Sequence, residues 1–217
     1  MSNTLSNYEK GCEEWKVRLL PVKHSELTRK LPELKDKGEY FEITHFGRVY
    51  RIIKATFDIE AEDGDPISVD ARLNIYTLLW YCKHGASNSG IWVPFRELYL
   101  ANVFEKAFRE HILEPFAETF EGMPEEFMKA GIKMGGLSLN AGDAGIMIDA
   151  FSCIPMKIIF WDGDEEFPPN VNILFDKAST DFIHPESIVT IAMEAYRRFV
   201  EISGVQVKGS PFSNMNM

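Results

Sequence analysis

Four carboxylates fall within five positions of this 217-residue sequence, in a turn that also holds a glycine: Asp162, Asp164, Glu165 and Glu166. Hard cations such as Ca²⁺ and Mg²⁺ take several oxygen ligands, which an acidic turn can supply. The spacing differs from that of an EF-hand loop, whose ligands alternate and end on a distant glutamate. The turn is therefore either a metal site or a set of acids that are solvated or paired with Arg96 or Arg48. The second interpretation is favoured, because structural charge clusters are commoner than sites.

Arg96 offers a strong cation close behind the glycine-rich loop at residues 84–90. A guanidinium can hold a carboxylate or phosphate through two parallel hydrogen bonds. It can equally brace the acidic turn, and this structural role is favoured because a buried arginine must be paired. If a cleft joins these segments, the candidate ligand pocket comprises Trp92, Arg96, Glu97, Trp161, Asp162, Asp164, Glu165, Glu166 and His184.

Other catalytic and cofactor motifs do not occur in the sequence. The five histidines show neither HxH nor HExxH spacing, and the three cysteines form no CxxC pair. Ser87 and Ser89 lie outside any G-x-S-x-G elbow, and the glycine-rich loop lacks the lysine of a P-loop. We therefore expect no cofactor, and no nucleophile is assigned.

The charge and composition of the chain disfavour nucleic acid and membranes as partners. The net charge is −10 and no basic cluster occurs, which disfavours nucleic acid and anionic membranes, since phosphate contacts need Lys and Arg. The N-terminus lacks the pattern of a signal peptide, and no apolar run approaches the roughly 20 residues of a membrane span. We expect a cytoplasmic protein whose partner is an unknown small molecule or another protein.

Helices are predicted where apolar residues recur at helical spacing. They cover residues 3–19, a short segment ending before Pro32, and Val69 to Lys83 with Ser68 as its cap. A long helix from Asn102 has a kink or restart at Pro115; others begin at Pro124 and Pro185.

Strands are predicted on either side of a turn at Phe46-Gly47, at Ile91 to Phe95 on a sheet edge, and at residues 146–150. Met156 to Trp161 and Val171 to Phe175 read as antiparallel neighbours, the first buried on both faces like a central strand. Hairpins without regular βαβ alternation indicate an α+β fold with a mainly antiparallel sheet flanked by helices. We expect one domain over residues 1–204 and a flexible tail over residues 205–217.

Five segments together resemble an uncharacterised prokaryotic family, domain of unknown function 3786. They are WDGDEEFPPNVNILFD at Trp161 to Asp176, FGRVY at Phe46 to Tyr50, GIWVPFREL at Gly90 to Leu98, Gly142-Asp143-Ala144 and His184-Pro185-Glu186. The similarity spans about residues 5–200.

The resemblance implies a setting but no activity. Members of that family occur mainly in anaerobic bacteria and archaea, and some carry a cysteine-rich, cluster-binding segment ahead of the domain. The present sequence holds no such segment, so the resemblance lends no support to electron transfer. We expect a non-catalytic, cytoplasmic binding or accessory protein of anaerobic metabolism. The alternative is a metal-dependent hydrolase or transferase that uses the turn from Asp162 to Glu166; a cleft would favour the enzyme and a flat apolar patch an interaction protein.

Overall fold

The computed structural model describes the backbone of residues 7–208 and the side chains of residues 9–208. Its elements, in chain order, are α1 Asn7–Leu19, α2 His24–Lys30, β1 Lys35–Asp36, β2 Tyr40–His45, β3 Arg48–Ile53, β4 Ile59–Ala61, α3 Val69–Tyr81, β5 Trp92–Pro94, α4 Glu105–Phe108, α5 Glu114–Phe120, α6 Pro124–Lys133, β6 Leu137–Leu139, β7 Ala144–Phe151, β8 Ile154–Trp161, β9 Asn170–Asp176, α7 Ser179–Phe182 and α8 Pro185–Ser203. Short 3₁₀ turns cover Phe95–Glu97 and Ala101–Phe104, and a π-helical turn covers Arg109–Leu113.

The fold is α+β, with two antiparallel sheets rather than one. The first sheet has the strand order β1-β2-β3-β4. Its central hairpin turns at Phe46 and Gly47, whose φ angles of 47° and 73° are both positive, as a two-residue type I′ turn requires. Phe46 tolerates this backbone because its N–H donates to the Ala150 carbonyl and its own carbonyl accepts from Arg198.

The second sheet has the order β5-β9-β8-β7-β6, and every neighbouring pair is antiparallel. The predicted pairing of the two central apolar runs is therefore confirmed, and β8 is the middle strand. Ile158 and Phe160 are fully buried on the face that α6 covers, where Phe160 stacks on Phe127. The predicted burial on both faces holds only in part, because on the opposite face Ile159 is buried but Trp161 is 39% exposed.

The helices begin and end largely where local signals place them. Ser68 Oγ accepts the Ala71 N–H at 3.0 Å, which caps α3 as expected. Gly204 ends α8 with a φ of 70°. Near the end of α3, Leu78 and Leu79 are fully buried, whereas Trp80 is 40% exposed.

Two predictions concern the chain ends. The first helix is described only from Asn7, so its predicted first residues, including Leu5, lie outside the described residues. After α8, Val205 and Val207 pack against the core and the Lys208 N–H donates to Thr119 Oγ1 at 3.2 Å. The remainder of the predicted tail, residues 209–217, also lies outside the described part. No helix within residues 7–208 is long and apolar enough to cross a membrane.

Candidate functional site

Two carboxylates of the acidic turn between β8 and β9 accept hydrogen bonds from backbone N–H groups. Asp162 Oδ1 accepts N–H groups from Gly122 at 2.7 Å and Gly163 at 3.0 Å. Asp164 Oδ1 accepts those of Glu166 and Phe167 at 2.8 and 2.7 Å, the arrangement of an Asx turn. These two backbone bonds lower the pKa of Asp164. Two of the four carboxylates therefore cap backbone donors.

The turn does not gather the ligands that a metal site needs. Glu165 and Glu166 are exposed. Within residues 7–208, no three side chains of His, Cys, Asp or Glu are arranged so that they could hold a metal ion. The contacts of the turn thus favour an architectural role.

The expected ion pairs between the turn and arginine are wrong. Arg48 instead forms a two-point pair with Asp63, with distances of 2.7 and 2.6 Å, because both residues flank the β3–β4 hairpin. Arg96 is exposed, and its guanidinium makes no ion pair or hydrogen bond with any residue in the described range. It lies on the 3₁₀ turn after β5, beside the first residues of β9 rather than under the acidic tip.

The residues on either side of Arg96 anchor its backbone in the hydrophobic core. Its neighbour Phe95 is 2% exposed and stacks on Phe108, with ring centroids 4.2 Å apart and 10° between the planes. Phe175 of β9 meets both rings edge-on. Leu98, at the end of the 3₁₀ turn, is also buried. Arg96 is thus an exposed cation on a segment that Phe95 and Leu98 anchor in the core.

Arg96 lines a surface cavity of about 320 Å³. Its walls come from β5, the helical run from Glu105 to Ala117 and the start of β9; the lining residues are Pro94, Arg96, Glu105, Arg109, Leu113, Glu114, Ala117, Pro169, Asn170, Val171 and Asn172. The volume is at the small end of the range of about 300–1,000 Å³ that ligand pockets occupy. Charged and amide side chains share the cavity lining with the apolar side chains of Pro94, Leu113, Ala117, Pro169 and Val171.

A π-helical turn forms one wall of the cavity. The predicted long helix is interrupted at Arg109–Leu113, just before Pro115. Proline has no N–H, and its ring clashes with the carbonyl four residues earlier, so a regular helix cannot run through it. This wider turn places Arg109 and Leu113 on the cavity wall. Such turns often occur at functional sites.

The family model described as "Domain of unknown function (DUF3786)" matches residues 27–198. The chain belongs to this family. The comparisons with curated proteins and with solved structures found no match. All residues that line the Arg96 cavity fall inside the matched range, so the cavity belongs to the DUF3786 domain itself. The family description names no activity.

The remaining predicted site residues lie apart from the cavity in this DUF3786 domain. Trp92 is half-buried, with Lys157 Nζ 4.1 Å from its ring centroid. Glu97 and Trp161 are exposed, and neither lines the Arg96 cavity. The structure therefore brings Arg96 together with the start of β9 but not with the other predicted side chains.

His184 lines a second, smaller cavity of about 180 Å³, where α1, α3 and α8 meet. Its Nδ1 accepts the Glu186 N–H at 3.3 Å, which caps α8. Tyr81 packs on the imidazole with ring centroids 5.3 Å apart, and Trp15 completes the aromatic wall. The expected single pocket that joins His184 to Arg96 is thus not formed.

Ten of the eleven lining residues were not predicted from the sequence; the polar ones among them are Glu105, Arg109, Glu114, Asn170 and Asn172. Asn170 and Asn172 alternate along a strand, and this period of two, directly after Pro168-Pro169, was a signal that they share one face. Glu105 and Arg109 lie on a helix with ordinary charge patterning. The pairing of β5 with β9 brings Asn170 and Asn172 beside Arg96.

The glycine-rich loop at residues 84–90 is tied to the end of β9 by hydrogen bonds. Asp176 is 1% exposed, and its carboxylate accepts from Ser89 N and Oγ at 2.9 Å each, Gly90 N at 2.7 Å and Ala178 N at 2.8 Å. Burial acts to raise the pKa of Asp176, but these donors outweigh it and the pKa is lowered. Asp176 thus has a structural role at residues 89–90.

Proposed function

We propose that this DUF3786 protein is a non-catalytic binding or accessory protein, and that the Arg96 cavity holds a small ligand with a carboxylate or phosphate group. One observation carries the proposal. The Arg96 guanidinium faces a cavity of about 320 Å³ and has no partner among residues 7–208. A guanidinium offers several N–H donors in a planar fork that matches these anions.

The rest of the lining supports binding rather than covalent chemistry. Among the described residues that line the cavity there is no hydroxyl, thiol or imidazole side chain. Hydroxyls and thiols are the usual covalent nucleophiles and imidazole is the commonest general base, which leaves the carboxylates of Glu105 and Glu114 as the only groups of the described lining suited to acid–base chemistry. Asn170 and Asn172 instead contribute amides, which both donate and accept hydrogen bonds. Pro94, Leu113 and Pro169 provide apolar surface for the rest of the ligand.

We place the protein in the cytoplasm of an anaerobic prokaryote, where it serves metabolism. The family resemblance supports the anaerobic setting. Cys12, Cys82 and Cys153 are all free thiols. Free thiols are typical of a reducing compartment, whereas secreted domains commonly oxidise them to disulfides.

The test combines recovery of a bound ligand with a charge-removing variant. Wild type, Arg96→Gln and the control Arg29→Gln are purified from the native host, and their small molecules are identified by mass spectrometry. Arg29 is exposed and distant, on α2. We expect a metabolite that carries a carboxylate or phosphate group in wild type and the control, reduced at least tenfold in Arg96→Gln. Equal recovery from all three, or no such metabolite in any, would overturn the proposal.

A further inference from the structure

We infer that the ligand of the Arg96 cavity is a zwitterion, namely a small α-amino acid with an apolar side chain. The inference rests on the proposed function, since it adds a second charge to a ligand whose anionic group already faces Arg96. Its observation is separate: Glu105 lines the same cavity, and its carboxylate also has no partner among residues 7–208.

Arg96 and Glu105 face one cavity without pairing with each other. Their charged atoms are therefore more than 4.0 Å apart, which is the limit for an ion pair. In a charge-assisted hydrogen bond, the donor and acceptor atoms are about 2.7–2.9 Å apart. A molecule between the two side chains can meet both, with its carboxylate on Arg96 and its ammonium group on Glu105.

The other two charges in the cavity are already matched. Arg109 forms an ion pair with Glu114 and lies 3.3 Å from Glu110. The unmatched set in the lining is thus one cation and one anion. A neutral ligand with both signs satisfies each of them, whereas a simple anion leaves the Glu105 carboxylate beside it and a simple amine leaves Arg96 unmatched.

The charge of the whole protein favours the same class of ligand. The chain carries a net charge of −10, and its summed field opposes the approach of a simple anion. A zwitterion has no net charge, so it approaches without this penalty and still presents a carboxylate to Arg96.

The remaining lining residues indicate which side chain the amino-acid ligand carries. Pro94, Leu113, Ala117 and Pro169 give apolar surface, and Asn170 and Asn172 supply neutral amides at the edge. A cavity of about 320 Å³ suits an amino acid but is small for a dipeptide with two large side chains. We expect a branched or straight aliphatic side chain of three to five carbons, since no lining group complements a further charge.

Isothermal titration with three matched probes tests this inference. L-Leucine carries both charges, 4-methylpentanoate lacks the amine, and 3-methylbutylamine lacks the carboxylate; all three share one aliphatic body. The proteins are wild type, Arg96→Gln, Glu105→Gln and the control Glu97→Gln. Glu97 neighbours Arg96 in sequence and is exposed, but it does not line the cavity.

We expect L-leucine to bind wild type at least tenfold more tightly than either single-charge probe. Arg96→Gln should weaken both carboxylate probes, Glu105→Gln should weaken L-leucine and the amine, and Glu97→Gln should change none of them. If 4-methylpentanoate binds as tightly as L-leucine and Glu105→Gln has no effect, the inference of a zwitterionic ligand is wrong. The proposal that Arg96 binds an anionic group then still stands. If no probe responds to Arg96→Gln, both inferences fail.

Discussion

Phe95 and Phe108 stack face to face, with their ring centroids 4.2 Å apart. The contact joins the turn after β5 to the helix before the π-helical turn, so it fixes two walls of the Arg96 cavity relative to each other. Both rings are almost fully buried. The cavity is therefore supported by the hydrophobic core, although its charged groups lie at the surface.

This stack should show energetic coupling. We expect Phe95→Ala and Phe108→Ala each to lower the free energy of unfolding by about 3–5 kcal/mol, as large core truncations do. The double variant should lose less than the sum, by about 0.5–1.5 kcal/mol, because the aromatic contact is then counted once. Urea denaturation of the four proteins measures the cycle. Additive losses would show that the two rings are independent.

The central strand of the second sheet permits a matched comparison. Phe160 is fully buried against Phe127, whereas its neighbour Trp161 is 39% exposed. We expect Phe160→Ala to cost about 3–5 kcal/mol of unfolding free energy. Trp161→Ala should cost less than half as much, because part of its surface is already in water. Similar losses in denaturant titrations would mean that the two faces of β8 are equally buried.

His45 should make the fold sensitive to mild acid. It is fully buried, its Nδ1 donates to the Ala150 carbonyl at 2.8 Å, and burial lowers its pKa from 6.5 to about 4. The unfolded state therefore takes up the proton first as pH falls. Stability should fall progressively between pH 6.5 and 4, with a total loss of about 3 kcal/mol from this group.

The measurement is urea denaturation at pH 7, 6 and 5 for wild type and His45→Gln, whose amide can still donate to Ala150. Carboxylates with lowered pKa values, such as Asp176, lose their contribution mainly below this window. We expect the wild-type free energy of unfolding to decline more steeply with acid than that of the variant. Parallel declines would remove His45 as the cause.

Arg96 should contribute to ligand binding but little to the stability of the fold. Because Arg96 is exposed and has no partner among the described residues, Arg96→Ala should change the free energy of unfolding by no more than about 0.5 kcal/mol.

Millimolar Ca²⁺ or Mg²⁺ at constant ionic strength should leave the melting temperature of the protein unchanged. A divalent-ion shift that disappears in Asp164→Asn would instead support the metal-dependent alternative.

Features that depend on a few neighbouring residues were predictable from the sequence. The turn at Phe46-Gly47, the cap at Ser68 and the helix starts at Pro124 and Pro185 all occur as expected. Each is set by local backbone geometry and hydrogen bonding, which the residue types largely determine. The pairing of β8 with β9 was predictable because an acidic, proline-containing turn separates two apolar runs.

The candidate site was less predictable because its parts are brought together by distant pairings. Arg96 was a candidate from the sequence, but the sequence offered no measure of which side chains would lie beside it. Pairing of β5 with β9 places it beside Asn170 and Asn172, and the π-helical turn adds Arg109. Local charge patterning made the acidic turn a candidate partner, whereas Asp164 of that turn caps its own backbone.

The pairing of Trp92 with Asp176 also sets an order of events during synthesis. Trp92 leaves the ribosome 84 residues before the strand that will cover its hydrogen-bonding edge. At about 5–20 residues per second, the interval is on the order of 4–17 s. During that time β5 and the apolar side chains of Val93 and Phe95 lack their partner strand. The nascent chain therefore leaves the strand next to its candidate site unpaired until almost the whole domain has been synthesised.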